Sequence, residues 1–264
     1  LQMCGKEKLV IPLVVLQTIA ANMGSSLTPI GNPQNLYLYS KSCAKVGDFL
    51  LWMLPYTLVT GICIWLAVLF QTKEQVDYKP EKGGAVWGKK RKFYFISYAV
   101  LFLFCLLSVA KVLPPLVLFL MALAFLLAVD RRILWCIDYA LLGTFIGFFI
   151  FIGNLGRVSA FRDFFAGILT GHETLAGVIS SQVISNVPAA LLLSGFTDKW
   201  ESLVVGTNLG GLGTLIASMA SLISYKQMVR QYPGLKGKYF LYFTLGNVGM
   251  LFILLGVYAV LGAF

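Results

Sequence analysis

Two stretches of this sequence gather neutral oxygen-bearing side chains around glycine and proline in otherwise apolar surroundings. The first reads Asn22-Met23-Gly24-Ser25-Ser26-Leu27-Thr28-Pro29-Ile30-Gly31-Asn32-Pro33-Gln34-Asn35, and the second Thr207-Asn208-Leu209-Gly210-Gly211-Leu212-Gly213-Thr214-Leu215-Ile216-Ala217-Ser218. A shorter third, Ser185-Asn186-Val187-Pro188, sits mid-way in another uncharged run, and none of the three holds Asp, Glu, Lys or Arg. No continuous helix survives such a composition, so two half-helices, near residues 9–21 and 34–41, are expected to flank an unwound segment. An interrupted helix exposes free N–H groups and partial positive charge at one new end, and free carbonyls with partial negative charge at the other. The first kind of end suits a carboxylate or oxyanion and the second suits sodium. The absence of carboxylates from all three segments favours an anionic solute over a cationic one.

The candidate binding residues are therefore Asn22, Ser25, Ser26, Thr28, Asn32, Asn35, Ser185, Asn186, Thr207, Asn208, Gly210, Thr214 and Ser218, with Asn22, Ser26, Asn186 and Asn208 as the set for a sodium ion. The competing reading is helix packing by small residues. It applies as well as ligand approach to Gly24, Gly31, Gly210, Gly211 and Gly213, and to Ser and Thr hydroxyls, which bond their own helix carbonyls. It applies less to Asn22, Asn35, Asn186 and Asn208, because an unpaired amide is costly in hydrocarbon.

The elements that must carry these residues follow from composition. The chain is 264 residues long, 58% hydrophobic and 12% charged, with too little polar surface to cover a soluble globule, so the bilayer is its solvent. Uncharged runs at 9–40, 49–72, 93–110, 112–129, 139–156, 174–197, 202–225 and 239–264 can each cross a hydrocarbon core that needs about 17 to 25 helical residues. The fold class expected is an all-α polytopic membrane protein built as an inverted repeat, with broken helices and a re-entrant hairpin. Residues 1–70 close a first repeat (broken helix 9–41, span 49–70), 71–92 form a cytoplasmic linker, and 93–264 form a second repeat. The second comprises spans 93–110, 112–129 and 133–152, a hairpin 171–197, a broken helix 201–226 and a span 239–263. The chain starts at Leu1 with no leader, so the N-terminal part of the fold is expected to lie upstream.

Loop charge orients this arrangement. With residues 1–8, 71–92, 130–132 and 226–238 inside, 15 Lys and Arg face the cytoplasm and 6 face out, and the C-terminus lies outside. If residues 174–197 spanned the membrane, the split would fall to 12 against 9; a hairpin around Ser185–Pro188 is therefore preferred. The second interruption lies on the first with an offset of 186: Asn22, Gly24, Thr28 and Ile30 meet Asn208, Gly210, Thr214 and Ile216, while Asn32 meets Ser218. The two broken helices cross in opposite directions in this topology, as an inverted repeat requires.

The +10 charge sits in short loops rather than on one face, which excludes nucleic acid as a partner. Cys43, Cys63, Cys105 and Cys136 lack paired spacing and read as packing residues, not as a disulfide framework or metal site. Asp138 is a carboxylate within an apolar run, a candidate for proton coupling or, at a helix start, a solvated dipole partner. His172-Glu173 reads as a solvated hairpin mouth, and Lys89-Lys90-Arg91-Lys92 as a topology anchor with a secondary use in anionic lipid contact.

Ser26-Leu27-Thr28-Pro29-Ile30-Gly31-Asn32-Pro33-Gln34-Asn35, Ser185-Asn186-Val187-Pro188-Ala189 and Thr207-Asn208-Leu209-Gly210-Gly211-Leu212-Gly213-Thr214 resemble motifs of the ion transporter superfamily, which includes citrate transporter-like, arsenical pump and divalent anion:sodium symporter families. The run Ile137-Asp138-Tyr139-Ala140-Leu141-Leu142, with Phe145, Gly147, Phe149 and Gly153, resembles the helix entering the second half of that fold. The resemblance implies a homodimer, a scaffold and a mobile transport domain in each protomer, elevator-type alternating access, and a second hairpin upstream of Leu1. Val187-Pro188 follows Asn186 where the sodium symporters carry Thr, which argues against carrying over dicarboxylate specificity. The expected function is secondary transport of citrate, another carboxylate or an inorganic oxyanion, coupled to sodium or protons, in the cell inner membrane and without a cofactor. Alternatives are cation/proton antiport, arsenite efflux, or a membrane subunit without transport activity. No catalytic motif supports an enzyme.

Overall fold

The computed structural model describes residues 9–70, 88–137, 139–155, 157–159, 167 and 169–262; among these every regular element is a helix. In chain order they are α1 (Val10–Ser26), α2 (Pro33–Lys41), α3 (Val46–Leu69), α4 (Lys89–Val109), α5 (Pro115–Val129), α6 (Arg132–Trp135), α7 (Tyr139–Leu155), α8 (Glu173–Ile184), α9 (Asn186–Leu193), α10 (Trp200–Leu209), α11 (Met219–Gln231) and α12 (Lys236–Leu261). Val46–Leu69, Arg91–Val109 and Pro233–Leu261 are long and apolar enough to cross a membrane, and Val10–Ser26 and Pro115–Val129 are shorter apolar helices. The chain divides into two compact units, Asp77–Phe145 and the remainder, Leu1–Val76 with Ile146–Phe264.

In the smaller unit α4 packs on α5, with Tyr98 edge-on to Phe125 and its hydroxyl donating to Asp130 Oδ2 at 3.4 Å. None of the described residues of α5 is buried, and Phe93, Phe95, Phe102, Leu116 and Phe119 stand out from the surface. Apolar side chains that face outward all round a helix need lipid or further protein against them. Lys89–Lys92 form the first turn of α4 rather than a loop before it, and residues 71–87 and Asp138 lie outside the described residues. The expected span 133–152 is divided, with α6 ending at Trp135 and α7 starting at Tyr139.

The larger unit holds both interruptions. α1 packs on α3 and α12, α8 on α9 and α10, and α2 on α9 and α10. Met23, Leu38, Phe49, Met53, Leu203, Leu209, Tyr239, Phe243 and Leu254 are fully buried at its centre. Since lipid tails are as apolar as leucine, cohesion rests on close approach. A Cβ on Gly206 would meet Thr174 O at 2.4 Å, and one on Gly177 would meet Gly206 C at 3.0 Å, so α8 and α10 touch backbone to backbone.

Three expectations need correction. α1 runs to Ser26 rather than ending near residue 21, because Pro29 restricts Thr28 before it while the Gly24 position tolerates helix at a cost of about 1 kcal/mol. The break in 171–197 falls at Ser185, inside the expected Ser185–Pro188 stretch, and Pro188 occupies the first turn of α9, where an N–H has no intrahelical partner to lose. His172 is exposed but Glu173 is 9% exposed, in the first turn of α8, where the helix dipole favours a carboxylate; the hairpin mouth is thus only partly solvated. The four described cysteines are free; Cys63 and Cys105 are half-buried, while Cys43 and Cys136 are exposed and so are not packed in the core of the described residues.

Candidate functional site

Both interruptions end in the same local device. α2 restarts at Pro33 with Asn32 in extended conformation (φ −151°, ψ 161°), and Asn32 Oδ1 accepts from Asn35 N at 3.0 Å. α11 restarts at Met219 with Ser218 extended (φ −140°, ψ 151°), and Ser218 Oγ accepts from Ser221 N at 3.1 Å. Proline at the first helical position and an Asn or Ser cap explain why a helix stopped at Pro29 and Gly31 can begin again within a few residues. Gly31 also has a steric reason, because a Cβ there would collide with the Ser25 carbonyl.

The two interruptions are bonded reciprocally. Asn208 Nδ2 donates to Asn35 Oδ1 at 2.6 Å, and Asn208 Oδ1 accepts from Asn32 Nδ2 at 3.1 Å. In the other direction Asn22 Nδ2 donates to Ser221 Oγ at 3.2 Å, and Asn22 Oδ1 accepts from Ser218 Oγ at 3.0 Å. Each first half-helix thus lends an asparagine to the cap and the third residue of the other's second half. The offset of 186 that aligns Asn22 with Asn208 relates the two sets of bonds as well. Amides removed from water require partners, and Asn35 and Asn208, which are buried, and Asn22 and Asn32, which are half-buried, obtain them across the two interruptions.

The hairpin tip completes the cluster. Ser185 joins α8 to α9 with φ 73° and ψ 152°, a conformation that side-chain-bearing residues rarely adopt. It turns Asn186 N out of the helical path, and that N–H donates to Ala217 O at 2.8 Å. Ser185 Oγ approaches the same carbonyl at 3.4 Å. The Asn186 side chain is 6% exposed and lies against Gly211, where a Cβ would stand 2.9 Å from Nδ2; its carboxamide makes no hydrogen bond among the described residues.

Other candidates serve the backbone. The hydroxyls of Ser25, Ser26 and Thr207 donate to Asn22 O, Met23 O and Leu203 O of their own helices. Thr28 meets Asn35 Nδ2 through its carbonyl at 3.3 Å, and Thr214 Oγ1 donates to Gln182 O at 3.2 Å. Gly210 has a packing reason, since a Cβ would stand 2.6 Å from Ser181 Oγ. Two participants were absent from the candidates: Ser221, which the offset would have reached from Asn35, and Gln182, whose place in an ordinary helical run carries no signal. Among the described residues no cluster of His, Cys, Asp or Glu could hold a metal.

A citrate transporter family model matches residues 1–197. The uncharacterized transporter MJ0456 of Methanocaldococcus jannaschii is 36% identical over 81% of this chain and 57% of its own length. The inner membrane protein YbiR of Escherichia coli is 30% identical over 81% of this chain and 58% of its own, and a 46 kDa membrane protein of Mycobacterium leprae is 24% identical over 80% and 58%. The chain spans a little over half the length of these curated relatives. No solved structure matches it.

Proposed function

Because the chain belongs to the citrate transporter family, we propose that it carries the solute site of a secondary active transporter for a small anion, a carboxylate or an inorganic oxyanion, driven by a sodium or proton gradient. The observation that carries this reading is the Asn186 carboxamide, which lies at the hairpin tip against Gly211 of the second interruption and makes no hydrogen bond among the described residues. Around it the N-termini of α9 and α11 contribute partial positive charge, and segments 22–35, 182–188 and 208–221 bring no charged side chain. An anion meets donors there and no repelling carboxylate. Should sodium be the coupling ion, Asn22, Ser26, Asn186 and Asn208 remain its proposed neighbours; should protons couple, Asp138 is the proposed carrier.

The reading includes a homodimer in the cell inner membrane that works by elevator-type alternating access. Residues 173–193 form the outward-opening re-entrant hairpin of an inverted repeat, and the C-terminus lies outside. The loop-charge split supports that orientation, and the inner-membrane relative from E. coli supports the compartment. The test is uptake into proteoliposomes of the full-length protein across citrate and other carboxylates, sulfate, phosphate and arsenite, with sodium and pH gradients imposed separately. Gradient-driven uptake of an anion is expected. Movement of cations alone, or of no solute in the presence of either gradient, would reject it.

A further inference from the structure

Gln182 lies in the last turn of α8 and is half-buried. Its Nε2 stands 2.8 Å from Gly210 O, 2.9 Å from Leu212 O and 3.3 Å from Val178 O, while its Oε1 accepts from Thr214 N at 2.9 Å. The amide can face only this way. Exchanging its two ends would set an oxygen against three carbonyls and an NH2 against an N–H. Several carbonyls converging on one point are what a protein offers a dehydrated alkali cation. Here an NH2 group, electropositive through its hydrogens, fills that point.

Several neighbouring carbonyls of the second interruption are occupied too, while those of Gly213, Leu215 and Ile216 accept no hydrogen bond among the described residues. Asn208 O, Leu209 O and Thr214 O accept from Gly211 N, Leu212 N and Ala217 N at 3.1, 3.0 and 3.2 Å. Gly211 O accepts from Asn22 Nδ2 at 3.4 Å, and Ala217 O from Asn186 N at 2.8 Å. At the first interruption Asn35 Nδ2 covers Ser26 O and Thr28 O, but the carbonyls of Pro29, Ile30 and Gly31 accept no hydrogen bond among the described residues. The two interruptions share their caps, and the second differs in having the Gln182 amide seated on the Gly210 and Leu212 carbonyls.

We propose that the Gln182 amide is a built-in substitute for a cation: it occupies the position between the Gly210 and Leu212 carbonyls of the second interruption that an alkali ion would otherwise take. This rests on reading the interruptions as the solute site. It makes Gln182 a residue that sets cation stoichiometry, and it ties the hairpin tip to residues 210–214 as one body.

The test uses the purified full-length protein and sodium alone, comparing melting temperature in sodium chloride and in choline chloride at equal ionic strength, pH 8. Gln182→Ala uncovers the Gly210 and Leu212 carbonyls, and Gln182→Glu adds a carboxylate oxygen beside them. Both are expected to show a sodium-specific rise a few degrees larger than the wild type's, greater for Glu, because a bound ion stabilises only the folded state. Equilibrium binding of radioactive sodium is expected to gain about one ion per chain in Gln182→Glu over the wild type. If neither variant gains sodium-specific stabilisation, or if Gln182→Ala loses bound sodium that the wild type holds, the assignment is overturned. Should Gln182→Glu fail to insert, Gln182→Ala decides alone on the same two readouts. Neither readout uses a substrate, so it stands apart from the uptake test: a sodium gain here with no anion uptake there would keep the role of the amide and discard the anion site.

Discussion

The Asn208 carboxamide donates to the Asn35 carboxamide at 2.6 Å across 173 residues of chain, and the same Asn208 accepts from Asn32, so one side chain closes the cap of the opposite broken helix. Replacing it by leucine leaves the buried Asn35 oxygen and the half-buried Asn32 amide group without these partners. Asn208→Leu is expected to lower stability by about 1 to 3 kcal/mol for each stranded group and to abolish uptake. Thermal unfolding in detergent and proteoliposome uptake check both; an unchanged melting temperature would mean these bonds carry no structural weight.

Asn186 differs because its carboxamide makes no hydrogen bond among the described residues. Asn186→Ala is expected to change stability by less than about 1 kcal/mol while reducing anion uptake at least about tenfold, a loss that corresponds to roughly 1.4 kcal/mol of solute binding. The same two measurements on one preparation separate it from Asn208→Leu. Full uptake by Asn186→Ala would remove the hairpin tip from the site.

Two glycines two segments apart should respond in opposite senses to alanine. Gly24 has open space where a Cβ would go and lies inside α1, so Gly24→Ala is expected to stabilise by up to about 1 kcal/mol. A Cβ on Gly206 would meet the Thr174 backbone at 2.4 Å, so Gly206→Ala is expected to destabilise by about 1 to 3 kcal/mol. Chemical unfolding of both variants in the same detergent reads the sign directly.

Ser185 holds a backbone conformation that costs on the order of 1 to 3 kcal/mol for a residue with a side chain. Ser185→Gly removes that strain at the expense of about 0.5 to 1 kcal/mol of extra freedom in the unfolded chain, for a net gain in melting temperature. Ser185→Val, with a branched Cβ, should lower it. A lower melting temperature in Ser185→Gly would show that the hydroxyl's contact with Ala217 O outweighs the backbone term.

The positions of the interruptions were legible because proline and glycine act locally: Pro29 with Gly31, and Gly210, Gly211 and Gly213 together, disfavour continuous helix wherever they sit. The extent of α1 was not, since a single Gly24 is only mildly unfavourable in a helix and its packed neighbours decide. The Ser185–Pro188 stretch held the break of the hairpin, but proline is as compatible with a helix start as with a break, so which of the four residues turns was not legible. The amides of Asn22, Asn35 and Asn208 stood out by the cost of burying them, but that cost names no partner. Which amide meets which cap depends on how residues 173 and more positions apart come together. Gln182 was invisible for the same reason, being ordinary in its own helix and distinctive only against carbonyls about thirty residues away.

The reciprocal capping has a consequence for how the protein is made. At ~5 to 20 residues per second of synthesis, Asn32 Nδ2 and Asn35 Oδ1 wait roughly nine to thirty-five seconds before Asn208 exists. During that interval the first broken helix has exposed polar groups and no resident partner, so it must stay hydrated or shielded beside the insertion machinery instead of settling into lipid. A ribosome stalled between the two halves would leave a nascent chain whose early segment is marked for quality control by its own unanswered amides.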